Sequence, residues 1–239
     1  MAGAALPGRL SWLAATAVAL RAETARTRTI AFAVPGWPGH RAGQHVDVRL
    51  TAPDGYQAQR SYSIASAPGA EHLELTVERI DDGEVSPYLV DELREGDRIE
   101  LRGPIGGWFV WQDDHPGPAL LLAGGSGIVP LRAMLRVRGR TPARLVYSAR
   151  SPEELIYAGE LASLEDVHLV YTRAWPEGFA GRRGRIDAAY LRALAWPLQD
   201  DPIAFVCGPN GFVEAAASAL VAAGWPVSRV RTERFGPSG

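Results

Sequence analysis

The 239-residue sequence contains no lysine: all 25 of its Lys+Arg residues are arginine. A P-loop needs its lysine on the phosphates and Schiff-base chemistry needs a lysine amine, so both mechanisms are excluded. Cysteine is almost as scarce. Cys207 stands alone, which rules out an internal disulfide and any zinc or iron–sulfur centre built on four thiolates of this chain. The five histidines, at 40, 45, 72, 115 and 168, form no pair at ligand spacing, so no metal site is expected. Net charge is also small. A formal charge of −2 supplies no overall field to gather nucleic acid or an anionic membrane, and neither is an expected partner.

No apolar run is long enough to span a bilayer. Residues 9–20, "RLSWLAATAVAL", combine Arg9, an apolar run and small residues in the manner of a signal peptide. The same stretch runs into the alternation Val18, Leu20, Ala22 that a strand would show. A first strand in a cytoplasmic protein is the expectation.

The length fits two modest domains, each large enough for its own apolar core. From residue 14 to about 102, short alternating runs ("TIAFAV", "QHVDVRL", "RSYSIAS", "HLELTVERI") are separated by Gly/Pro turns, the pattern of a small antiparallel β-barrel. One helix is expected in "SPYLVDELREG", with Ser86 as N-cap, Pro87 at the first helical position and Gly96 after the end. After the turn-rich "GPIGGWFVWQDDHPGP" strands alternate with helices, the signature of an α/β domain with a parallel sheet. Its expected strands are "ALLLA", "ARLVYSA", "VHLVYT", "PIAFVC" and "RVRTE"; its helices are "IVPLRAMLRVR", "PEELIYAGELASL", "DAAYLRALA" and "GFVEAAASALVAA". The expected domains are residues 1–113, the barrel, and 114–239, the α/β domain.

Two turns carry chemistry. In "LLLAGGSGIVPLRAML" a strand runs through Gly124, Gly125, Ser126 and Gly127 into a helix, whose first N–H groups make a ready anion site. The dinucleotide fingerprint G-x-G-x-x-G is only partly met, because Pro130 replaces its third glycine. Nor is Ser126 at a hydrolase elbow, since Ile128 stands where G-x-S-x-G needs its last glycine. In "RSYSIAS" the alternation sends Arg60, Tyr62 and Ile64 to one side and Ser61 and Ser63 to the other. An arginine can pair with phosphate, a tyrosine can cover an aromatic ring, and a serine can hydrogen-bond a ring nitrogen. A half-buried strand with an exposed arginine would read the same way.

Five ordered blocks, "RSYS", "GEVSPYL", "GPIGG", "AGGSGIVPLRAML" and "CGPNGFVEAA", with "ERFG" at the end, resemble the ferredoxin–NADP reductase superfamily over residues 14 to 236. The resemblance implies a flavin domain followed by a pyridine-nucleotide domain. It places Arg60 at the flavin phosphate, Tyr62 against the isoalloxazine and Ser63 near its N5, with Ile64 also among the cofactor-binding residues. Gly83, Val85 and Ser86 correspond to a second flavin-binding block. Gly125, Ser126, Gly127, Cys207, Gly208 and Pro209 correspond to the nucleotide site, with the Cys207 thiol at the nicotinamide. Glu233 and Phe235 match a C-terminal carboxylate and an aromatic group that covers the flavin, although here four residues follow Phe235.

The implied cofactor is FAD, with FMN as the alternative, and NADPH or NADH is the hydride donor. After the second strand of the nucleotide domain, Ser148 and Arg150, with Arg173 beyond the next strand, favour NADPH through its 2′-phosphate; Glu153 and Glu154 argue for NADH. The implied activity is a flavoprotein reductase in which Ser63, Cys207 and Glu233 act at the reacting rings. A single cysteine leaves no cluster-bearing segment within the sequence, so electrons are expected to leave on a separate ferredoxin-like redox protein. The alternatives are a reductase of free flavin or ferric chelates and a flavin-binding regulatory subunit without turnover.

Overall fold

The computed structural model describes residues 10–112 and 115–236. The expected junction between residues 113 and 114 lies outside the described residues, as does Arg9. Six antiparallel strands form the first domain: β1 (Leu13–Thr24), β2 (Thr27–Ala33), β3 (His45–Thr51), β4 (Gln57–Ser63), β5 (Leu73–Glu78) and β6 (Arg98–Ile105). They lie in the order β4-β3-β6-β1-β2-β5, and a bridge between Ile64 and Leu75 ties the two edge strands together into a barrel. Phe32, Ile30, Val46, Val48, Leu75 and Leu101 fill its interior.

Strand β1 corrects the expected alternation. Its buried residues are Ala15 and Ala17, and the register against β2 slips between Ala17 and Ala19. That bulge adds one residue and shifts the phase, so Leu20 pairs with the buried Ile30 and Val18 is the extra residue. The expected helix forms, but its cap is corrected. The helix runs from Ser86 to Glu92, opening with the Leu89 N–H donating to the Val85 carbonyl at 3.1 Å and widening over Tyr88–Glu92, where the Leu93 N–H donates to the Tyr88 carbonyl at 2.9 Å. Ser86 is not its cap: its buried hydroxyl accepts the Ile80 N–H at 3.0 Å. The side chain thereby fastens the 80–86 loop instead of the helix start.

The second domain is a six-stranded, wholly parallel sheet in the order β10-β9-β8-β7-β11-β12. Its elements are β7 (Ala119–Gly124), α1 (Ile128–Val137), β8 (Ala143–Ala149), α2 (Ala158–Leu161), β9 (Val167–Tyr171), β10 (Arg182–Arg183), α3 (Ala188–Leu194), β11 (Ile203–Pro209), α4 (Asn210–Ala222) and β12 (Val230–Phe235). Strands buried on both faces explain the continuous apolar runs. Leu121, Ala123 and Phe205 face α1, whereas Leu120, Leu122 and Val206 face α3 and α4.

The helix expected over "PEELIYAGELASL" breaks into a short turn at Pro152–Glu154 and the four residues of α2. The reason is burial. Leu155, Ile156 and Tyr157 are all buried in succession, which one helix face cannot arrange, and Tyr157 takes a left-handed φ of 63° to do so.

From β7 the chain winds to one side through β8 and β9, then returns to β11 on the other side of β7. The crevice between the carboxyl ends of β7 and β11 is the topological switch point, where ligands of such sheets bind. Both glycine-marked turns flank it. A side chain on Gly127 would lie 2.0 Å from the Cys207 carbonyl oxygen, so the two turns approach only because this residue has none. Gly127→Ala is expected to cost about 1–3 kcal/mol of unfolding free energy or more, measured by denaturant titration. Unchanged stability would show that the turns are not locked together.

Candidate active site

The cleft between the domains, about 1030 Å³, gathers residues distant in sequence. Arg60, Tyr62, Ser63, Gly83, Val85 and Ser86 come from the barrel, and Ser126, Glu233 and Phe235 from the parallel sheet. Ser63 ends β4, with its hydroxyl buried against the second domain. Glu233 lies on β12, held there by parallel pairing with Cys207. The two meet across the domain boundary: the Ser63 Oγ donates to Glu233 Oε1 at 3.5 Å.

Burial pushes the Glu233 carboxyl up to about 7, and the Ser63 hydrogen bond offsets this only in part. The site therefore holds a proton near neutrality. Burial likewise raises the Tyr62 phenol above its usual range, with Arg60 opposing. At the outer end, the Arg60 guanidinium is exposed, donating to the Gln59 carbonyl at 2.7 Å and lying 3.7 Å from the Glu84 carboxylate. The Tyr56 hydroxyl donates to the same carboxylate at 2.6 Å.

The other expected site residues lie around this line. Ile64 is packed in the barrel core behind Ser63. Gly125, Gly127, Gly208 and Pro209 form the paired turns at the switch point. Cys207 is fully buried in the apolar layer beside α1 and its sulfur does not line the cleft; burial, with Glu233 alongside, pushes its thiol up. Ser148, Arg150 and Arg173 stand together at the carboxyl ends of β8 and β9, where the Arg173 N–H donates to the Arg150 carbonyl at 2.9 Å. Arg150 is exposed, 3.7 Å from Glu154.

Sequence reasoning assigned no role to His45, Thr76, Trp108 or Phe109, all of which line the cleft. The "GPIGG" block was a partial signal. Gly106 and Gly107 sit at the rim, and Gln44 Nε2 donates to the Gly106 carbonyl at 2.7 Å, holding that turn against β3. His45 is the cross-strand partner of Ser63, a neighbour that only the register discloses. Among the described residues, no cluster of three or more His, Cys, Asp or Glu side chains could hold a metal ion, and no helix is long and apolar enough to cross a membrane.

Residues 20–110 match the family model of an oxidoreductase FAD-binding domain, and residues 121–218 that of an oxidoreductase NAD-binding domain. The chain is 35% identical over 213 residues to ferredoxin–NADP reductase B of Sorangium cellulosum, an alignment covering 81% of this chain and 84% of that protein. It belongs to the ferredoxin–NADP reductase superfamily, with an FAD-binding barrel and an NAD(P)-binding α/β domain. It is also 34% identical over 210 residues to the glycine betaine monooxygenase reductase subunit of Pseudomonas aeruginosa, covering 83% of the chain and spanning 57% of that protein's length. Among solved structures, the cytochrome P450 reductase GcoB of Amycolatopsis aligns with a TM-score of 0.83 at 27% identity, covering 96% of this chain and 71% of that one.

The raised carboxyl makes a stability prediction. Glu233 binds its proton more tightly in the folded chain, near 7, than at the ordinary 4.5. The stability it contributes is complete below pH 4.5 and is lost as pH rises through 7. The slope is at most about 1.4 kcal/mol per pH unit. Glu233→Gln cannot ionise and should remove this slope, so chemical denaturation should show wild type losing ground to the variant as pH rises over that interval. A difference between them that does not vary with pH would contradict the buried carboxyl.

Proposed function

We propose that this protein is an NAD(P)H-dependent flavoprotein reductase that passes electrons to a separate redox protein. The observation that carries the reading is the Ser63–Glu233 contact, 3.5 Å across the domain boundary, inside a cleft that runs from the Arg60 guanidinium to the glycine turns. The cleft suits FAD. Its volume of about 1030 Å³ matches a ligand of that size, with a cation at one end and apolar and aromatic walls in the middle. When bound, FAD supplies the redox chemistry, accepting two electrons with a proton from NAD(P)H and releasing electrons singly.

The chain's own residues bind and orient. Arg60 and the 83–86 loop hold the phosphates, and the Tyr62 ring covers a ring face. Ser63 offers its hydroxyl to a ring nitrogen, and Glu233 keeps a proton at its carboxyl beside that hydroxyl. Phe235, at the end of β12 and on the cleft wall, shields the site from water. The exposed Arg150 and Arg173 suit the 2′-phosphate of NADPH, with Glu154 displaced from Arg150. The glycine turns would hold the nucleotide, with Cys207 packed beneath them. The names of the relatives, a monooxygenase reductase subunit, a ferredoxin–NADP reductase and a cytochrome P450 reductase, support an electron-transfer partner.

The test is steady oxidation of NADPH by the purified protein with a one-electron protein acceptor. Electrons delivered only to two-electron acceptors would overturn the proposal of a redox-protein partner. Ser63→Ala should keep its flavin but reduce it roughly tenfold more slowly, about 1.4 kcal/mol in the barrier; an unchanged rate in stopped flow removes Ser63 from the chemistry. Arg150→Ala should lower kcat/KM for NADPH and leave that for NADH nearly constant. A preference for NADPH that survives the substitution would remove Arg150 from the phosphate site.

A further inference from the structure

Arg132 lies on α1, five residues after Gly127, yet it is only 3% exposed. Its guanidinium reaches out of its own domain. Nη1 donates to the Ala65 carbonyl at 3.3 Å and to the Glu74 carboxylate at 2.9 Å, both on the barrel, while Nε donates to Glu160 of the nucleotide domain at 2.7 Å. The group also lies 4.2 Å from the centre of the Tyr157 ring. Ala65 follows Ser63 by two residues, and its N–H donates to the Glu74 carbonyl at 2.8 Å. One side chain therefore grips both strands of the barrel edge that carries Ser63. The Tyr157 hydroxyl adds a second strut to Thr76, the residue after Leu75 on the same strand.

A buried ion pair is weak evidence of stabilisation, because a well-packed apolar residue often serves stability as well. What the planar fork does that an apolar side chain cannot is fix direction and register at several acceptors at once. The apolar contacts here are non-directional: Ala42 and Ala65 of the barrel simply enter the layer beside α1. Burial opposes the guanidinium's charge, and Tyr157, Glu160 and Glu74 outweigh it.

We propose that Arg132 is a positioning residue for the reaction, setting the separation between the glycine turn at the head of its own helix and Ser63 on the barrel. The inference rests on the reductase reading. Donor and acceptor held on different domains react only when brought within contact distance, and small misplacements cost large factors in rate. Arg132 acts through Ala65 and Glu74 and touches no reacting atom.

The experiment uses the FAD-loaded full chain, its Arg132→Met and Arg132→Lys variants, and Glu74→Gln, which weakens the same grip from the barrel side. The first readout is labelling of Cys207 by a thiol reagent without nucleotide. Cys207 is the only thiol and shares its buried layer with Ala42 and Ala65, so loosening of the domain contact exposes it. The second is flavin reduction by NADPH, split into limiting rate and half-saturation.

In Arg132→Met, labelling should quicken and the limiting rate should fall, each by roughly tenfold, with half-saturation changed by less than about twofold. Arg132→Lys should regain thermal stability but not the rate, since a point charge lacks the fork. Wild-type labelling and limiting rate in Arg132→Met and Glu74→Gln, whatever happens to Tm, would reduce Arg132 to a structural ion pair and overturn the proposal. Should Arg132→Met fail to fold, Glu74→Gln decides on the same two readouts. Should wild type not be reduced by either nucleotide, the reductase reading fails, while thiol labelling still decides whether Arg132 holds the domains together.

Discussion

The packing of the barrel edge against α1 is the contact on which the rest of the site depends. Ala42 and Ala65, small enough to let two domains approach closely, are buried in the same layer as Phe109 and Trp111 of the connector and Ile128, Leu131 and Met134 of the helix. Apolar burial holds the domains together without fixing their register. Register comes from polar contacts across the same surface: Arg132 to Ala65 and Glu74, and Ser63 to Glu233. Each cleft wall belongs to a different domain, so every distance in the site inherits this register.

The distribution of charge follows the same division. Exposed arginines stand on both domains, Arg60 at the cleft on the barrel and Arg150 with Arg173 at the carboxyl ends of β8 and β9, where water screens them. The middle is half-buried to buried. There Tyr62, Ser63, Glu233 and Phe235 line the cleft, and the one carboxyl among them is held near its neutral form by burial. Phosphates are suited to the ends and uncharged rings to the centre. In a chain without lysine any such pairing would fall to arginine forks, which favour planar, paired recognition of phosphate oxygens.

What could be read in the sequence is what local patterning encodes. "ARLVYSA" coincides with β8 residue for residue, because Leu145, Val146 and Tyr147 give it a buried apolar centre and the turn residues Pro142 and Pro152 flank it. The paired turns were visible through their glycines. Where tertiary contacts overrode the local pattern, the reading failed: the bulge in β1 shifted its phase, Ser86 bonded to Ile80 instead of capping a helix, and consecutive burial of Leu155, Ile156 and Tyr157 broke a periodic segment. The family blocks brought Ser63 and Glu233 into one site on paper, but their 170-residue separation hid the contact itself. Arg132 had no signal at all, since its meaning lies in partners from the other domain.

On the proposed function, the two domains bring a flavin and a nicotinamide nucleotide together in this cleft. Anaerobic titration of the purified, FAD-reconstituted protein with NADPH and NADH, followed by visible absorbance, tests it most directly. The expected result is a yellow protein whose flavin band bleaches stoichiometrically with added nucleotide and returns when an electron acceptor is supplied. A protein that stays colourless after incubation with FAD, or whose bound flavin is reduced by neither nucleotide, would contradict it.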